Sequence, residues 1–155
     1  MTEFGTPRRT TYHVTGPTLQ AVADAISHLP EAGRADWTPS FEEAHDDAGT
    51  VTSATVRCGL AIQMPVWTDY PSASQAAKDE WDRWWVALEA HEQGHLDIVT
   101  QELAALEDQM VGRTIAEARA AFDTAVAQTQ ACSDAYDAST NHGVSAGTVL
   151  DTTIP

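Results

Sequence analysis

The stretch "WVALEAHEQGHLDIVTQEL", Trp85 to Leu103, constrains this chain more than any other. It lies in the most regular part of the sequence. Ser72 or Ser74 can cap a helix before it, and Gly112 can end one after it. Trp81, Trp84, Trp85, Leu88, Ile98, Val99, Leu103 and Leu106 supply an apolar stripe, so the pattern predicts one long helix over about residues 75–111. Within it stand His91 and His95. Residues four apart are separated by roughly 400° around a helix, so the two imidazoles stack one turn apart. Their face also carries Trp84, Leu88, Ile98 and Glu102, and it is the face expected to be buried. Bare imidazoles placed there are costly unless partners satisfy them.

A shared divalent metal satisfies both at once. With Glu92 the pair spells H-E-x-x-H. In that pattern two histidines hold zinc, which lowers the pKa of its water to about 7. The glutamate, rotated to the flank, takes the proton, and hydroxide attacks a carbonyl carbon. Gly94 is the odd residue, because glycine inside a helix costs up to ~1 kcal/mol relative to alanine. Close approach of another backbone or a substrate is one reason to tolerate it.

The remaining pattern gives the fold class. "TTYHVTG", Thr10 to Gly16, is short and alternating and reads as a strand. Leu19, Val22, Ala23, Ile26 and Leu29 then recur at helical spacing, predicting a helix over about residues 17–29 that Pro30 stops. From Asp36 to Trp67 the chain turns to Thr, Val, Ile and aromatics around the turn-like "HDDAG", which predicts an antiparallel hairpin, with "MPVWTDYPSAS" leaving the sheet as a loop. A second long helix is expected from near Thr114 to about Ser139, followed by a Gly- and Thr-rich coil. The expected architecture is α+β: a small antiparallel sheet with one short helix, then two long helices. One domain over residues 10–143 would follow a disordered segment, 1–9, and precede a C-terminal tail, 144–155.

Composition narrows the function. The chain has 155 residues, a length that suggests a single domain with a real core. No apolar run approaches the ~18 residues that span a bilayer. A formal charge of -15 repels phosphate backbones, which argues against nucleic acid as a partner. "MTEFGTPRRTTYHV" has no apolar core of a signal peptide, so the chain reads as cytosolic or as beginning after a removed leader. Cys58 and Cys132 would pair in a secreted chain and stay buried thiols in the cytosol. Neither sits in a C-x-x-C.

Catalytic zinc takes three protein ligands and a water, so a third ligand is needed. Glu102 stands seven residues past His95, about 10 Å along the axis, too far for the same ion. The end of the second helix, "CSDAYDASTNHG", offers Asp134, Tyr136, Asp137, Thr140 and His142. An antiparallel return of that helix can bring them back along the first.

In "YHVTGPTLQAV", "RCGLAIQMPVW", "WDRWWVALEAHEQGHLDI" and "YDASTNHG" the chain resembles the bacterial domain-of-unknown-function family described as predicted secreted zinc-dependent proteases. The resemblance implies a zincin-like metallopeptidase domain that cleaves peptide or protein substrates. His91 and His95 would be zinc ligands and Glu92 the base. His142 becomes the first choice for third ligand, with Asp137 or Asp134 next. It also implies export, in contrast to the leaderless N-terminus. Tyr136 could donate its phenol to the oxyanion of a tetrahedral intermediate, and Asp137 could instead accept the free N–H of a ligand imidazole.

Two other readings compete. Glu92 and His95 form E-x-x-H, repeated by Glu42 and His45, as in four-helix di-iron sites, but only two long helices are expected. Alternatively, the domain could be a catalytically inactive metal-binding or acidic protein-interaction module. Glu92 discriminates, because a purely structural site has no use for a base. The oligomeric state is not encoded in any of these features.

Overall fold

The computed structural model describes residues 2–155. Four strands and four α-helices are found among them: β1 (Glu3–Phe4), β2 (Arg8–Val14), α1 (Leu19–Ser27), β3 (Arg34–His45), β4 (Val51–Trp67), α2 (Gln75–Leu103), α3 (Leu106–Met110) and α4 (Ile115–Thr140). Contacts group the chain into two compact units, and β4, α2 and α4 have residues in both.

One unit holds residues 2–7, Asp36–Leu60 and His95–Tyr136. Its sheet is built on the first part of β4. β1 runs parallel to it, Glu3 opposite Arg57, and that arginine reaches both Glu3 and Glu42. β3 also pairs with β4, across the turn at residues 46–50. So short a connection joins only antiparallel neighbours. Asp46 builds the turn: its Oδ1 accepts the amides of Ala48 and Thr50, and Gly49 takes the left-handed φ of 79° that such a turn needs. Val56, Cys58 and Leu60 alternate inward, and they are buried in the core together with Leu96, Val99, Leu103, Leu106 and Met110. Phe41 and Phe122 pack with their rings tilted, centroids 4.7 Å apart.

The other unit holds Arg8–Ala35, Ala61–Gly94 and Asp137–Pro155. Here β2 pairs with the second part of β4 over seven residues, Arg8 opposite Ala61 through Val14 opposite Trp67, again in parallel. Val14, Leu19, Val22, Ile62, Met64, Trp67, Trp81, Trp84 and Leu88 form its core. Trp67, Trp81 and Trp84 follow one another at 5.6 and 4.9 Å. An indole is a large apolar body with one donor to place. Trp67 Nε1 donates to Gly16 O, Trp84 Nε1 to Thr148 O and Trp85 Nε1 to Pro65 O, at 2.8, 2.9 and 3.0 Å.

Four expectations change. The sheet is mixed, not antiparallel, because β2 is separated from β4 by α1 and the β3 hairpin, and that connection is long enough to return in the same direction. Residues before Thr10, read as disordered, supply β1 and the start of β2. β4 runs on through Pro65 to Trp67. The long helix breaks after Leu103, and α3 turns Leu106, Glu107 and Met110 inward. The carbonyl of Leu103, freed by the break, accepts the hydroxyl of Thr2 at 2.7 Å, and Glu107 Oε1 accepts the Val56 amide at 2.9 Å.

The tail is docked. Glu80, buried on α2, is held bidentately by Arg83 at 2.6 and 2.7 Å. The same guanidinium donates to the carbonyls of Gly147 and Val149, and Glu80 accepts the Asp151 amide at 2.7 Å. The hydrogen bonds from Arg83, with that from the Asp151 amide, hold the Glu80 carboxyl below its ordinary 4.5 against the opposing effect of burial. A depressed carboxylate stabilises the fold fully above its unfolded value, and that contribution is lost as pH falls through the lower folded value. Arg83→Ala should therefore lower the melting temperature by about 4–8 °C at neutral pH. Amide exchange over residues 147–151 should rise, and the difference from wild type should shrink on acidification below pH 4.5.

Candidate metal centre

His91 and His95 point inward from α2 as their spacing demands. They are 5 % and 9 % exposed, and Glu92 between them is 6 % exposed. The buried face is wider than the apolar stripe alone, since Glu92 and Leu96 lie on it while Ile98 is only half-buried.

α4 supplies the partners. His91 Nε2 lies 3.1 Å from Asp137 Oδ1. One turn on, His95 Nδ1 lies 2.7 Å from Ser133 Oγ. A step up α2 thus matches a step down α4, the antiparallel return that brings the end of the second helix to the histidines. One ligand atom from each of His91, His95 and Asp137 lies within 4.8 Å of the others. Two donors bound to one ion at ~2.0–2.2 Å in tetrahedral geometry stand about 3.4 Å apart, so the His91–Asp137 distance matches a shared cation as well as a shared proton. Tyr136 sets its ring edge-on to that of His95, centroids 5.0 Å apart.

His142 takes a different place. Its Nδ1 is 4.0 Å from the other Asp137 oxygen, Oδ2, and its side chain is 80 % exposed. Asn141, His142 and Gly143 are all left-handed, with φ of 51°, 53° and 81°. This turn follows α4 directly, with the His142 amide on Asp137 O at 2.8 Å and the Gly143 amide on Thr140 Oγ1 at 3.2 Å. It brings the Gly143 backbone against His91: a Cβ there would stand 3.2 Å from the imidazole Cγ and 2.7 Å from Thr148. Asp134 is exposed, its Oδ1 accepting from Gln130. His13, His28 and His45 are exposed and lie elsewhere, His45 with Glu42 on the strand β3, so the second E-x-x-H does not form part of a helical site.

Two contributors went unread in the sequence. Ser133 stands four residues from both Thr129 and Asp137, and that polar row on the inward side of α4 was a legible signal. Gly33 is the other. A Cβ on it would meet Glu92 Oε1 at 2.8 Å and Cγ at 3.0 Å, so the glutamate packs directly on the backbone between α1 and β3. No local pattern announces that contact.

Two buried imidazoles on one helix, with a carboxylate from another beside His91, form a donor set suited to a borderline divalent cation. Residues 9–143 match the family described as bacterial protein of unknown function (DUF922), and the chain belongs to it. No curated protein and no solved structure matches the chain.

Gly143 carries two independent demands, a left-handed φ and the space occupied by His91 and Thr148. Gly143→Ala should cost roughly 2–4 kcal/mol, readable as a lowered urea midpoint with an unchanged denaturant slope.

Proposed function

We propose that the protein is a zinc-dependent metallopeptidase whose ligands are His91, His95 and Asp137 and whose general base is Glu92. The observation that carries the reading is the convergence of those three donors, from two helices, within 4.8 Å of one another beside a buried glutamate.

Each side chain has a definable task. Ser133 Oγ can accept the Nδ1–H of His95, which fixes the tautomer that leaves Nε2 with its lone pair. Asp137 is suited to hold one donor oxygen beside His91 Nε2. A zinc ion bound there supplies a Lewis acid that polarises the scissile carbonyl and acidifies water. Glu92 takes the proton of the attacking water and returns it to the leaving amine. Tyr136, against the His95 ring, is the candidate donor to the developing oxyanion. His142 is suited to hydrogen-bond Asp137 Oδ2 from the solvent side, a supporting role in place of the ligand role expected from the resemblance.

Wild type and Glu92→Gln should each bind one zinc, measured by elemental analysis after dialysis. Only wild type should cleave an unfolded protein such as casein, with the variant slower by about 10²–10⁴-fold. Ser133→Ala should weaken zinc binding by about tenfold, and Asp137→Ala by more than about a hundredfold. His142→Ala should stay nearer the Ser133 variant. A His142→Ala protein that loses zinc while Asp137→Ala keeps it would exchange the two roles. Equal cleavage by wild type and Glu92→Gln would defeat the enzyme reading, and zinc bound without cleavage would favour the inactive binding module.

A further inference from the structure

Gly33 needs an explanation that its own backbone does not provide. Its φ lies outside the left-handed range that favours glycine, so conformation alone does not call for the residue. Space does. A Cβ at position 33 would stand 2.8 Å from Glu92 Oε1, 3.0 Å from its Cγ and 3.1 Å from its Cδ. The chain before β3 is thus pressed flat against the whole carboxyl end of Glu92. That chain is itself pinned: the Tyr12 hydroxyl, from β2, donates to the carbonyl of Ala32 at 2.5 Å.

The geometry points to Tyr12 as a positioning residue for Glu92, acting through the Ala32–Gly33 backbone that forms one wall of the carboxylate's site. Resting on the metallopeptidase reading, this makes Tyr12 a determinant of where the base stands, although it touches no reacting atom. The pin is durable. Burial pushes the Tyr12 phenol up to about 12, so its proton stays in place well above neutral pH. A hydrogen bond to a main-chain carbonyl also sets a position that side-chain rotamers cannot drift from. The wall and the pin come from a short strand and a loop far from α2 in sequence, so this support is independent of the helix that carries the ligands.

Two measurements on metal-free protein test the contact without reference to catalysis. Gly33→Ala should lower the melting temperature by about 5 °C when Glu92 is present, and by less than half of that in a Glu92→Ala background, where the Cβ has room. Equal losses in both backgrounds would overturn the proposal. The carboxyl-carbon NMR resonance of Glu92, assigned by its absence in Glu92→Gln, should move in Tyr12→Phe while that of Glu80 stays. An unmoved Glu92 signal would overturn it as well. With zinc bound, Tyr12→Phe should lower kcat about tenfold, with KM and zinc affinity within about twofold. If wild type cleaves nothing, the metallopeptidase reading falls, and the first two measurements still decide whether Tyr12 positions Glu92.

Discussion

A buried polar side chain must be met, and α2 buries four of them in a row of aromatic and aliphatic neighbours: Glu80, His91, Glu92 and His95. Each one left unmet would cost a sizeable part of a domain's stability, so this helix dictates what the rest of the chain has to bring to it. The chain brings the Asp151 amide to Glu80, beside Arg83 of the same helix, Asp137 to His91 and Ser133 to His95, and it packs the backbone of Gly33 against Glu92. The docking of the tail follows as the way of delivering the Asp151 amide.

The parts of this plan that depend on local periodicity were open to reading from the chain alone. The helical spacing of His91 and His95, the hairpin around Asp46 and Gly49, and the two long helices needed only short windows. What depends on long-range pairing was not open. Nothing in "TTYHV" tells a parallel partner from an antiparallel one, since alternation is the same in both, and the direction of β2 is set by the path through α1 and β3. The break at Ala104–Ala105 is set by tertiary demand, because Leu103 before it and Leu106, Glu107 and Met110 after it are all buried.

The candidate third donor shows the same division. "YDASTNHG" placed two candidates, Asp137 and His142, within five residues of each other, and the family resemblance put His142 first. What separates them is where the helix ends. Asp137 is still on α4 and shares its inward side with Ser133, whereas His142 lies past the last turn, in a left-handed conformation that carries its ring into solvent. Gly33 lay beyond sequence reasoning for a simpler reason. A glycine in an ordinary conformation, at the start of a strand, looks like any loop residue until the atom it makes room for is known.

The grip on the tail has one consequence of its own. Arg83, Trp84 and Glu80 take hold of the carbonyls of Gly147, Thr148 and Val149 and the amide of Asp151, which are atoms of the main chain. Such atoms are the same whatever side chain stands at Val149, which faces water. The chain's last residues are thus fastened by their shape instead of their spelling. Mutational drift at that position leaves the fastening intact, while one change on the helix beneath undoes it.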